Sequence, residues 1–138
     1  MKVAAIQFKP EKGKWEASAD RLASLVNRAA DAGAWLIVCP ELALTGYVFA
    51  NSRAARKVAE ASTGRTLARY APLCRERGVC VVIGYVEADG GSLFNSALVI
   101  GPDGELIYNY RKRLLYELDE QWADPGELPY PLIHTPIG

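Results

Sequence analysis

Histidine occurs once in this sequence, as His134, and methionine only as Met1. Without that one imidazole no histidine-based triad or mixed His/Cys zinc site can be built. A lone His in a Pro-rich stretch is more often solvated than catalytic. Cysteine is nearly as scarce: Cys39, Cys74 and Cys80 make an odd count, fit no zinc spacing and have no evident base beside them. They read as reduced, partly buried thiols. Charge of one sign is missing too, since 16 basic residues cancel 16 acidic ones. No net field would recruit nucleic acid or an anionic membrane, so neither is expected as a partner. The apolar runs are far too short to span a bilayer. The opening MKVAAIQFKPEKGKWE lacks the long apolar stretch and small-residue cleavage site of a signal peptide, so a cytoplasmic protein is expected.

What the chain does have is the composition of one globular domain: 138 residues, 50% of them apolar and 23% charged, without repeat, linker or low-complexity tract. Residues 2–8 form an apolar run ended by Lys9-Pro10 and predict a buried strand. From Trp15 the period changes. Trp15, Ala19, Leu22, Val26 and Ala29 mark one stripe of an amphipathic helix over 15–32, with Gly33 where a helix-terminating residue belongs. Residues 34–39 predict a second buried strand, stopped by Pro40, and the three elements make a parallel βαβ crossover. A short basic helix over 51–60 and a longer one over about 64–77 follow, the latter kinked or delayed by Pro72 and closed by Gly78. Residues 79–87, 93–100 and 105–110 then read as a strand meander with a Gly101-Pro102-Asp103-Gly104 turn. Beyond Arg113 the chain is aromatic, acidic and Pro-rich, and predicts extended loop through Pro129, Pro131 and Pro136. The fold class is α/β.

Two residues suggest chemistry by position. Glu41 follows a buried parallel strand, where crevices open in α/β sheets. The apolar Leu42, Ala43 and Leu44 beside it would partly desolvate a carboxylate and suit it to act as a base. Lys112 ends the last strand within Tyr110-Arg111-Lys112-Arg113 and would serve as an oxyanion-stabilising cation if it reaches a pocket. On position alone, a surface Glu after a strand and a solvated basic run remain the commoner readings. Tyr47 and Trp122 are candidate pocket walls, although aromatics in apolar surroundings more often belong to the core.

The segment IVCPELALTGY, together with Asn95-Ser96-Ala97, the Gly101–Gly104 turn and Tyr110-Arg111-Lys112, resembles the nitrilase superfamily of carbon–nitrogen hydrolases. VAAIQF at the start and VVIGYVE are similar as well. The resemblance covers essentially the whole chain, in family order and spacing. It implies part of an αββα four-layer sandwich and a Glu–Lys–Cys mechanism on amides, carbamoyl groups or nitriles. Glu41 is then the base and Lys112 the cation. Glu120 is the supporting acid, with Glu117 as fallback, and Tyr47 binds substrate. No metal or organic cofactor is implied. None of the three cysteines matches the family nucleophile, which follows a segment like Thr135-Pro136-Ile137-Gly138. The chain therefore reads as the N-terminal part of one hydrolase domain, inactive alone. Its sheet, apolar on both faces, is expected to associate with a second copy or a complementing half. Alternatives are a non-catalytic binding module of the same fold, the glutaminase domain of a glutamine-dependent NAD synthetase, or an amidase acting on N-terminal Asn or Gln of proteins.

Overall fold

The computed structural model describes residues 1–127, 130 and 132–135. Its centre is a five-stranded mixed sheet in the spatial order β1-β2-β3-β4-β5. β1 (Lys2–Ala5), β2 (Ala34–Val38) and β3 (Cys80–Asp89) run parallel, while β4 (Ser92–Ile100) and β5 (Leu106–Arg111) continue antiparallel as the meander. β1 is shorter than its apolar run suggests, and as an edge strand it leaves Val3 56% exposed. Ile6 adds one further bond, donating its N–H to the carbonyl of Val38.

Among the described residues three helices accompany the sheet: α1 (Trp15–Asp31), α2 (Ser52–Arg56) and α3 (Arg65–Arg77). The predicted stripe of α1 is the face that packs, with Ala19, Leu22 and Val26 completely buried. Gly33 adopts the positive φ that ends this helix without Cβ strain. α3 runs unbroken from Arg65 through Pro72, contrary to the expected delay. Proline removes one backbone donor there, and burial of Tyr70 and Cys74 on either side holds the helix against the sheet. The Glu60 carboxylate accepts from both the backbone N–H and the hydroxyl of Thr66, satisfying donors at the start of α3.

Register decides what each face carries. Ile37 pairs with Val81 and Val81 with Ile100, so these three, with Ile83, Tyr85 and Leu98, meet α1 and α3 in the main core. Leu36, Val38, Val82, Ala97 and Val99 point to the opposite face. α2 caps one end of that face through Ala55, and among the described residues no helix covers the rest. At one end the loops around 42–59 and 115–123 close over it, forming a second core of Leu42, Ala55, Val86, Leu93, Trp122 and Ala123. At the other end Trp35, Leu36, Cys80, Val82 and Val99 border an apolar hollow with Ile133 and Thr135. The loop expected through Pro129, Pro131 and Pro136 falls on positions outside the described residues. His134 is exposed, as expected. Among the described residues no helix is long and apolar enough to cross a membrane.

Candidate active site

The segment after β2 turns back across the sheet. Ala43 donates its N–H to the carbonyl of Gly84 at 2.9 Å, so the backbone of residues 40–43 lies directly on β3. Leu42 takes a φ of 47° to make this crossing and is fully buried. Glu41 is thereby fixed over the uncovered face, half-exposed at the rim of a pocket of about 410 Å³. Pro40, Val82, Gly84, Asn95, Ala97, Tyr110 and Lys112 contribute to its lining.

β5 delivers Lys112 to the same place. The Lys112 backbone N–H donates to the carbonyl of Asn95, which extends the ladder by one residue and sends the side chain to the open face. Its ammonium Nζ sits 2.9 Å from Glu41 Oε1 and 2.8 Å from Asp119 Oδ2. Asn95 Nδ2 donates to the same Glu41 Oε1 at 2.6 Å. Among the described residues no donor reaches Glu41 Oε2.

Asp119 is fully buried and its carboxylate accepts three hydrogen bonds: from Lys112 on Oδ2, from the Tyr47 hydroxyl at 3.0 Å on Oδ1 and from the Tyr116 N–H at 3.4 Å on Oδ2, while its carbonyl accepts from the Trp122 and Ala123 N–H groups. Burial alone would raise its pKa, but the bonds from Lys112 and Tyr47 outweigh burial and hold the carboxyl below its ordinary range. Partial burial pulls at the Lys112 ammonium in the opposite sense. The hydrogen bonds to Asp119 and Glu41 prevail, so its pKa is raised and the group stays charged. Tyr47 is pushed up to about 12 by burial and by its bond to Asp119.

The structure thus brings Glu41 and Lys112 together and places a different acid on the lysine from the one expected. Glu120 and Glu117 are both exposed, and Glu120 borders a separate hollow with Ser52 and Arg56. The turn at 116–123, held by Asp119 and Glu120 N–H bonds to the Tyr116 carbonyl, directs only Asp119 inward. Tyr47 braces Asp119 from behind and is not part of the pocket lining. Trp122 is buried edge-on against Phe49 at 5.3 Å, so it is core. Asn95 is the member that positional reasoning passed over. Its signal was present in the strand alternation, which puts residues 95, 97 and 99 on the uncovered face. All three cysteines are buried; burial pushes the Cys39 and Cys74 thiols up to about 12 and raises Cys80 as well. Such thiols are inert as nucleophiles.

A sequence model of carbon–nitrogen hydrolases matches residues 2–138. The chain belongs to the carbon–nitrogen hydrolase family. It is 34% identical over 131 residues to a nitrilase of Pyrococcus abyssi, covering 94% of this chain and 50% of the relative. It is 33% identical to a protein N-terminal amidase of Saccharomyces cerevisiae, covering 88% of this chain and 28% of that one. A crystal structure of an N-terminal amidase with an Asn-Glu peptide superimposes with a TM-score of 0.82 at 29% identity, covering 90% of this chain and 30% of the other. The chain spans half or less of the length of these hydrolases, and its α/β fold is theirs.

Proposed function

We propose that these residues form the acid–base half of a hydrolase of non-peptide carbon–nitrogen bonds, with Glu41 as the general base and Lys112 as the oxyanion partner. The observation that carries this reading is the Glu41–Lys112 contact of 2.9 Å on one pocket. In the mechanism, Glu41 takes the proton of a cysteine thiol and the thiolate attacks the substrate carbon. The Lys112 ammonium donates to the oxygen on which charge develops. Protonated Glu41 returns its proton to the leaving nitrogen, ammonia or an amine departs, and water hydrolyses the thioester with Glu41 again as base. No step requires a metal or organic cofactor. The thiol is supplied by a part of the protein beyond these 138 residues, since the three cysteines here are buried and Cys39, although it borders the pocket, has its thiol pushed up to about 12 by burial. The 138 residues are one portion of a single hydrolase domain and are inactive without the rest.

The uncovered sheet face, with Val3 and Val38 exposed, is where that remaining portion or a second copy packs. A reducing, cytoplasmic setting suits three free thiols. A narrower reading, an amidase of protein N-terminal Asn or Gln, is favoured by the similarity to N-terminal amidases in both sequence and structure. The test is ammonia release from an amide and nitrile panel by the intact protein. Glu41→Gln, which keeps the shape and removes the base, lowers turnover about a hundredfold or more with the fold retained. Undiminished turnover in that variant refutes the assignment.

A further inference from the structure

Glu41 and Lys112 are both long, flexible and partly exposed side chains, Glu41 standing half-exposed on a loop. A contact between two such chains at a wet rim contributes little and fixes neither of them in place. Each is instead held by a short side chain that is buried. Lys112 is located by Asp119, which is fully buried. The corresponding holder of Glu41 is Asn95, which is 3% exposed and places Nδ2 2.6 Å from Oε1. Its amide nitrogen must face Glu41, because a carboxylate only accepts. The Asn95 backbone is fixed from both sides: it pairs with Val86 on β3, and its carbonyl accepts the Lys112 N–H at 2.8 Å. One residue therefore ties the two reacting groups together. Its side chain holds the base, and its backbone holds the strand position from which the cation reaches out.

We infer that Asn95 is a positioning residue, which locks the Glu41 carboxylate in the orientation the base requires and acts on the reaction only through Glu41. The inference rests on the hydrolase reading above. A neutral amide suits this task. A second cation on the carboxylate would hold it more firmly ionised and weaken it as a base, whereas an amide fixes the oxygen without adding charge. Asn95 and Lys112 both donate to Oε1, so the proton taken from the thiol goes to Oε2. Neither bond then has to break as Glu41 passes from base to acid and back. Without Asn95, Lys112 is left as the only holder of Glu41, and Lys112 has also to donate to the developing oxyanion. A carboxylate displaced by about 1 Å at this step slows the reaction on the order of a hundredfold.

The experiment is a double-mutant cycle in the intact protein, reading kcat/KM for ammonia release from the best substrate of the amide and nitrile panel. Asn95→Leu keeps the volume and removes the donor. Asn95→Asp keeps the shape and sets an acceptor against the carboxylate. Each is expected to lower kcat/KM about a hundredfold when Glu41 is intact. In the Glu41→Gln background the same changes cost less than about threefold, because no base is left to orient. A merely structural role gives a different result: damage to the strand or the pocket lowers kcat/KM by the same factor in both backgrounds. Urea denaturation checks the fold of each variant first, and Asn95→Asp carries the cycle if Asn95→Leu does not fold. Equal factors in the two backgrounds overturn the inference, as does undiminished kcat/KM in Asn95→Asp, and both results leave the hydrolase reading intact. Turnover of no amide or nitrile by the unaltered protein overturns the hydrolase reading and this inference with it.

Discussion

Gly84→Ala is the most searching single change outside the polar cluster, because it tests how Glu41 is held without altering the Glu41 side chain. A Cβ built on Gly84 would lie 2.6 Å from the Leu42 nitrogen, 2.8 Å from the Glu41 Cα and 2.8 Å from the Pro40 carbonyl oxygen. All three are backbone atoms, so no side chain can swing aside. Ordinary contact begins near 3.5 Å, so the crossing segment must lift by about 0.8 Å. That movement breaks the Ala43–Gly84 hydrogen bond of 2.9 Å and strains Leu42, already at positive φ. Overpacking of this kind costs about 1–3 kcal/mol, and a lost hydrogen bond adds roughly 1 kcal/mol. The expected destabilisation is thus about 2–4 kcal/mol by urea denaturation. The functional effect is larger than the stability effect suggests, because a shift of about 1 Å at a catalytic group can lower turnover on the order of a hundredfold. Gly78→Ala is the control: it ends α3 at φ +62° with nothing within 4 Å, so it costs about 1 kcal/mol of backbone strain and leaves turnover unchanged. A Gly84→Ala protein of native stability, with the Glu41–Lys112 separation still 2.9 Å in its structure, would refute the account of how the base is placed.

Other expectations are simpler to state. Asp119→Asn removes the buried anchor of Lys112 and is expected to destabilise by about 2 kcal/mol and to slow turnover about tenfold or more, whereas Glu120→Gln stays within about 0.5 kcal/mol of wild type; equal effects from both would reverse the choice of acid. Acid lability follows from the two depressed carboxyls, Asp119 and Glu87. A carboxyl whose folded pKa lies below its unfolded value lends stability that is complete above about pH 4.5 and is lost as the pH falls further. Glu87→Gln should flatten that loss between pH 5 and 3 and cost about 3 kcal/mol at neutral pH by leaving Arg111 short of its partner, which urea midpoints across the range will report. Val48 is β-branched, half-exposed and held at φ 71°, so Val48→Gly should raise stability by up to about 1 kcal/mol despite glycine's entropy; a lower melting temperature would contradict this.

The βαβ opening and the meander were legible because burial repeats at three, four and seven along α1, while β3 is one almost continuous buried apolar run and β4 largely alternates. The helix end at Gly33 was equally plain. What pattern cannot give is which acid of Glu117, Asp119 and Glu120 turns inward, because a tight turn has no long period and three acids within four positions look alike. Asp119 was fixed by contacts 72 residues away in sequence, through Tyr47. Pro72 misled for a related reason, as local cost was outweighed by packing against a distant sheet. Glu41 and Lys112 could be named from position and resemblance, but their meeting, 71 residues apart, is a product of strand register.

That register has its own safeguard. Asn95 and Lys112 work on one side of the sheet, while their immediate neighbours Ser96 and Arg111 grip the buried Glu87 carboxylate on the other, at 2.6 to 2.9 Å. A slip of either hairpin strand by a single residue would exchange the two sets, putting a guanidinium where the ammonium belongs and stranding an acid in the interior. Glu87 lies on the face away from the pocket, yet it acts as the keyed tooth that lets the strands mesh in only one alignment, so the meeting of Glu41 and Lys112 is secured from the back of the sheet.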